Sequence, residues 1–209
     1  NYGDLIKYWE LWNEPNLAAF NTTQETPETY AELAKITYPI VKKNDPDSVF
    51  CVFATAQFAE SWWERAIKAG ILDYTDAVSF HIYDWYYQET DGALRNDWYI
   101  EQIRKARALL EKYGHGDMPI ILSEIGIPSG PNATVNASER AQAAIFTQLL
   151  ALSMGEGGVE QVFFYHMQDG EDGVGEAASG KNWGFITSET SETVPAAAKP
   201  AYLSMAAYS

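Results

Sequence analysis

The 209-residue chain has one cysteine, three histidines, 14 basic against 29 acidic residues, and no apolar run near the roughly 20 residues that span a bilayer. Each shortage excludes something. A lone Cys51 cannot form an internal disulfide, and its setting, Val49-Phe-Cys-Val-Phe-Ala54, reads as a buried strand, so an inert core thiol is expected. A formal charge of −15 and a pI near 4.5 exclude a partner held through its phosphates, because nucleic acid is drawn to clustered Lys and Arg. A neutral partner fits better. Without a long apolar run, no membrane partner is expected. No basic stretch leads into an apolar leader, but the chain begins with Asn1 rather than methionine, so that absence carries no weight. Three sequons, at Asn21, Asn132 and Asn136, tilt an otherwise unknown localisation toward secretion.

What is present is apolar and aromatic material, 46% and 14% of residues, enough for one domain over 1–209 with a substantial core. Short apolar segments alternate with longer amphipathic ones. Strands are predicted at Lys7–Trp12, Val49–Phe53, Ala77–Tyr83, Ile120–Ile125 and Gln161–His166, mostly apolar as in parallel sheets covered on both faces. Helices are predicted at Pro27–Lys43, Glu60–Ala69, Asp97–Tyr113, Ser138–Met154 and Ala196–Ala207. Thr26 before Pro27, Ser138 before Glu139, and stops at Gly70 and Gly114 mark their ends. Tyr38-Pro39 predicts a kink. The Gly- and acid-rich stretch Asp169–Gly180 reads as a solvated loop, since its spacing does not match a Ca²⁺ loop. The pattern is a repeated βα unit in a parallel α/β fold.

Two glutamates carry the chemistry. In Trp9-Glu-Leu-Trp-Asn-Glu14-Pro-Asn16 the proline cannot donate to a ladder and is expected to end the strand, leaving Glu14 at its C-terminal rim. In Ile120-Ile-Leu-Ser-Glu124-Ile-Gly126 a second glutamate closes an apolar strand. Ligands of parallel βα folds bind at that rim. Either glutamate alone would serve equally as a helix cap or an Arg partner, but the same placement occurs twice. Two convergent carboxylates suit glycosidic cleavage, in which one attacks the anomeric carbon while the other protonates the leaving oxygen.

The Asn13-Glu14-Pro15 motif, His81-Ile-Tyr83 closing another strand, and the solitary Glu124 closing the next together resemble glycoside hydrolase clan A, the retaining (β/α)8-barrel enzymes. The resemblance covers strands four to eight of the eight-stranded barrel. Trp9–Asn16 with Tyr30-Ala-Glu-Leu-Ala looks most like family 39 or family 5 members. It implies a partial (β/α) TIM barrel of about five strands and a retaining β-glycosidase, with Glu14 as acid/base and Glu124 as nucleophile. It also implies Asn13 as donor to the sugar 2-hydroxyl, Tyr83 as hydrogen-bond donor to Glu124, and His81 lining the pocket, with no cofactor and no metal. Glu14 has to arrive protonated and Glu124 ionised. The family's eighth-strand tryptophan is replaced in Phe164-Tyr-His166-Met by His166. Trp183 is the expected substitute platform, with Trp12, Trp85 and Trp98 as further candidates.

The resemblance lacks the first three barrel strands. Five strands leave open edges, and self-association, as a homodimer or larger, is the expected cover. Two other readings compete with the glycosidase: a carbohydrate-binding or structural half-barrel without turnover, and a metal-dependent hydrolase using His81, Asp84, Glu124 and His166. Tryptophan content suits glucan, xylan or mannan chains without choosing among them.

Overall fold

The computed structural model describes residues 5–83, 96–130, 138–156, 158–170, 182–188 and 196–207. Along the chain run β1 (Tyr8–Glu10), α1 (Pro27–Asn44), β2 (Val49–Ala56), α2 (Glu60–Lys68), a 3-10 turn (Ile71–Tyr74), β3 (Ala77–Ile82), α3 (Asn96–Lys112), β4 (Ile120–Ile125), α4 (Glu139–Gly155), β5 (Val159–Phe164) and α5 (Pro200–Ala206). The five strands are parallel and form one sheet in chain order, β1-β2-β3-β4-β5. Each βα step therefore adds a neighbouring strand, as the alternating sequence pattern requires.

Local chemistry explains the helix ends. Thr26 caps α1 in a reciprocal box with Thr29, each backbone N–H donating to the other's hydroxyl at 3.2 and 3.3 Å, and Pro27 occupies the first turn. Ser138 accepts from the Ala141 N–H at 3.1 Å to start α4. Gly70 and Gly114 stop their helices with φ of 87° and 81°, a region that side-chain-bearing residues rarely enter. α1 runs through Pro39 to Asn44 without interruption.

Two strand boundaries differ from expectation for one reason. β1 ends at Glu10 instead of Trp12, because Trp12 and Glu14 take left-handed φ values of 66° and 43° and leave the extended region. β2 runs past Phe53 to Ala56 by way of a bulge, with Phe53 and Ala54 at φ 86° and 45° and the register to β3 shifting between Phe53 and Thr55. β5 is Val159–Phe164, displaced toward the N-terminus of the predicted span.

The chain divides into two compact units, one of Asn1–Ile82, Glu101–Ser123 and Gly157–Gln161, the other of Tyr83–Ile100, Glu124–Glu156 and Val162–Ser209. In the first, Phe53 stacks on Trp63 at 4.0 Å and Phe50, Val52, Trp63, Val78 and Phe80 are buried. Cys51 is buried too, and burial pushes its thiol up to about 12, in keeping with an inert core residue. The Asp76 carboxylate accepts from Tyr38, Lys42 and the Phe50 N–H at 2.9, 3.1 and 2.9 Å, tying α1 to the start of β3. On the other flank of α1, Leu33, Ile36 and Ile40 remain 38%, 63% and 57% exposed. The second unit is centred on Phe146, Phe164 and Phe185, whose rings lie 4.9 to 5.6 Å apart.

Candidate active site

Glu14 is held by backbone. Its N–H donates to the Ala54 carbonyl at 2.9 Å and its own carbonyl accepts from the Leu17 N–H at 2.9 Å. Asn16 grips the end of β2 from both sides, donating to the Ala56 carbonyl at 3.0 Å and accepting from the Ala56 N–H at 2.9 Å. Tyr30, reaching in from α1, donates to the Leu11 carbonyl at 2.7 Å and accepts from the Phe53 N–H at 2.9 Å. These contacts satisfy backbone groups that the bulge and the left-handed residues take out of the ladder. They also hold strained backbone beside a functional carboxylate.

The Glu14 side chain is 14% exposed, and its Oε1 lies 2.8 Å from Nδ1 of His81, which is fully buried in β3. His81 thus touches the carboxylate expected to act as acid/base. Asn13 is half-buried beside it. Trp12 is 60% exposed and donates its indole N–H to the Phe20 carbonyl. It helps line a cavity of about 350 Å³ with Pro15, Phe20, Tyr30, Leu33 and Trp62, a cavity that neither Glu14 nor His81 lines.

Glu124 stands inside the regular ladder of β4, where Ile120, Ile121 and Leu122 are buried and Ser123 and Glu124 are half-buried. The Tyr83 hydroxyl donates to Glu124 Oε2 at 2.8 Å, as the resemblance implied. The Tyr83 ring is met edge-on by Trp183 at 5.4 Å and by Tyr165 at 6.4 Å.

Trp183 is only 3% exposed, so its ring is packed into the wall beside Tyr83 instead of offering an open face. Gly126 makes room for it: a Cβ there would lie 2.6 Å from the Tyr165 carbonyl oxygen and 3.4 Å from the indole. His166 is half-buried just past β5, in edge contact with Tyr165 at 4.4 Å. Trp98 is half-buried in α3, while Trp85, Asp84, Asn132 and Asn136 lie outside the described residues. Asn21 uses its side-chain amide on the Pro15 and Glu25 carbonyls at 3.0 and 2.8 Å.

Three contributors were not assigned roles from sequence: Asn16, Tyr30 and the buried pair Lys199–Asp169. Asn16 carried a signal, an amide able to donate and accept immediately after a strand-ending proline. Asp169 is a correction, because the residue read as opening a solvated loop is 9% exposed and ion-paired.

No family model matches the chain, and no curated protein matches it in sequence. Solved structures do match. The GH39 enzyme of Xanthomonas axonopodis pv. citri is 21% identical, with 94% of this chain and 39% of that one covered and a TM-score of 0.66. A monomeric β-xylosidase from Caulobacter crescentus CB15 is 22% identical, with coverage of 93% and 40% and a TM-score of 0.65. The β-D-glucuronidase of Dictyoglomus thermophilum is 16% identical, with coverage of 86% and 28% and a TM-score of 0.58. At these identities the likeness is one of fold, a partial (β/α) barrel of the kind found in clan A glycoside hydrolases. The chain spans 39% and 40% of the length of the first two.

Proposed function

We propose that this chain is a retaining glycoside hydrolase acting on β-glycosides by double displacement. The observation that carries the reading is the Tyr83–Glu124 hydrogen bond of 2.8 Å, which holds and aims a strand-borne carboxylate as a nucleophile must be aimed. The Glu14–His81 pair supports the second role. Glu124 attacks the anomeric carbon as the bond to the leaving oxygen breaks, and Glu14 transfers its proton to that oxygen. Glu14, now a carboxylate, takes a proton from water, whose oxygen attacks the anomeric carbon and frees Glu124. In this scheme His81 orients Glu14, Asn13 holds the 2-hydroxyl, and His166 and Trp183 belong to the sugar-site wall.

The neighbours' names choose the first substrates to try: p-nitrophenyl β-xyloside, β-glucoside and β-glucuronide. Hydrolysis of at least one, abolished by Glu124→Gln, is expected. If wild type and variant are equally silent while sugar still binds, the half-barrel is a binding module and the catalytic reading fails. Activity that a chelator removes would point instead to a metal-dependent hydrolase.

Among the described residues β1 is an outer strand of the sheet and the α1 flank of Leu33, Ile36 and Ile40 is exposed, an edge and an apolar surface of the kind that take a partner. A second copy of the chain is the cover proposed. Sedimentation should return a dimer or larger species, and a clean monomer at micromolar concentration contradicts self-association.

A further inference from the structure

Both peptide groups that flank Trp183 are clamped by polar side chains. On one side the Asn182 carbonyl accepts from the Ser129 N–H at 2.8 Å, the Ser129 hydroxyl at 3.1 Å, Gln142 Nε2 at 3.0 Å and, most distantly, Lys199 Nζ at 3.4 Å. On the other side the Gly184 N–H donates to Asp169 Oδ1 at 2.6 Å. Lys199 joins the two clamps. Its ammonium lies 3.1 Å from Ser129 Oγ and 3.3 Å from both oxygens of Asp169, and its backbone N–H donates to the Phe185 carbonyl at 2.9 Å.

The residue is 1% exposed. Burying an ammonium is costly even when it is paired, and an apolar side chain of similar volume usually fills such a place at least as well. Burial does lower the Lys199 pKa, opposed by Asp169, so the group is held here against its solvation preference. The ion pair gains a direction that an apolar filler lacks: it locks residues 182–184 in one geometry. That geometry sets the indole of Trp183 perpendicular to Tyr83, with ring centres 5.4 Å apart and an interplanar angle of 87°, and Tyr83 is the donor to Glu124.

We propose that Lys199 is a positioning residue: through Asp169 and the 182–184 segment it fixes Trp183, and Trp183 fixes the Tyr83 hydroxyl on the Glu124 carboxylate. The catalytic consequence rests on the glycosidase reading; the structural relay does not.

The test uses Lys199→Met, Lys199→Arg and, as reference, Trp183→Phe, each on the full chain. The near-ultraviolet circular dichroism difference between wild type and Trp183→Phe isolates the signal of that indole. Lys199→Met is expected to lose most of this signal with its far-ultraviolet spectrum unchanged, and Lys199→Arg to retain more of it. On whichever aryl β-glycoside the wild type cleaves, Lys199→Met should lower kcat about tenfold with a smaller change in KM, because the carboxylate is misaimed while only the Trp183 part of the sugar-site wall is disturbed. Lys199→Arg should recover part of that loss. A Lys199→Met variant that melts earlier yet keeps both the Trp183 signal and kcat overturns the proposal, reducing Lys199 to a stabilising contact. If wild type cleaves no glycoside, the glycosidase reading fails, and the dichroism still decides whether Lys199 positions Trp183. Should Lys199→Met not fold, Ser129→Ala removes one ammonium contact and should weaken the same signal; an unchanged signal there counts against the relay.

Discussion

Glu14 stands on backbone that has left its strand, beyond the end of β1 and at φ 43°, whereas Glu124 stands within the ladder of β4 and needs no special conformation. The two carboxylates are accordingly moored by different means. Glu14 depends on main-chain pins: its N–H on Ala54, the Asn16 amide on both backbone groups of Ala56, and Tyr30 across Leu11 and Phe53. Glu124 has its backbone set by β-structure, and its carboxylate accepts from the Tyr83 hydroxyl. The difference teaches where fragility lies. Damage to the Glu14 mooring should cost stability and activity together, while damage to the Glu124 mooring should cost activity alone.

The largest expected effects come from the carboxylates themselves. Glu124→Gln should lower kcat by at least about 10³-fold on every substrate, because no nucleophile replaces it. Glu14→Gln should cost about 10²- to 10⁴-fold on glycosides with poor leaving groups, the usual worth of general acid catalysis. It should cost far less on dinitrophenyl glycosides, whose leaving group needs no proton. Equal losses on both substrates would remove Glu14 from the acid role.

The moorings separate next. Asn16→Ala strands the two backbone groups of Ala56 in a partly buried place, and the expected cost is about 1–3 kcal/mol of stability by denaturant unfolding. Kcat should fall as well, since a misplaced acid forfeits much of its effect. Tyr83→Phe should lower kcat by about 10- to 100-fold, the worth of a hydrogen bond to a charged group, with a nearly unchanged unfolding midpoint. An Asn16→Ala variant as stable as wild type, or a Tyr83→Phe variant that unfolds early, would break the contrast.

The asymmetry also explains what could be read in the sequence. The starts of α1 and α4 and the stops of α2 and α3 are legible because their determinants are local, Thr26 before Pro27, Ser138, Gly70 and Gly114, whereas α5 begins at Pro200 instead of Ala196. β4 was legible to the residue because its apolar run leads directly to Glu124. β1 and β2 depart from the sequence expectation where non-glycine residues adopt left-handed backbone, at Trp12, Glu14, Phe53 and Ala54. No residue type there advertises it, and cross-strand contacts enforce it. The pairings of Glu14 with His81 and Tyr83 with Glu124 join residues whose strand ends were recognisable and whose roles the family resemblance supplied. Lys199 with Asp169 was illegible, since one lysine before a proline and one aspartate before a glycine-rich stretch carry no sign of each other. Trp183 was recognisable as a site candidate, but its burial against Gly126 and Tyr83 depends on packing that composition does not encode.

Covalent trapping with a 2-deoxy-2-fluoro-β-glycoside bearing a dinitrophenyl leaving group, followed by mass spectrometry of the digested protein, tests whether Glu124 is the nucleophile. One glycosyl adduct is expected, on the peptide carrying Glu124 and on that carboxylate, formed by wild type and absent from Glu124→Gln. An adduct on another residue, or turnover of the parent glycoside with inverted anomeric configuration and no adduct, would contradict that role.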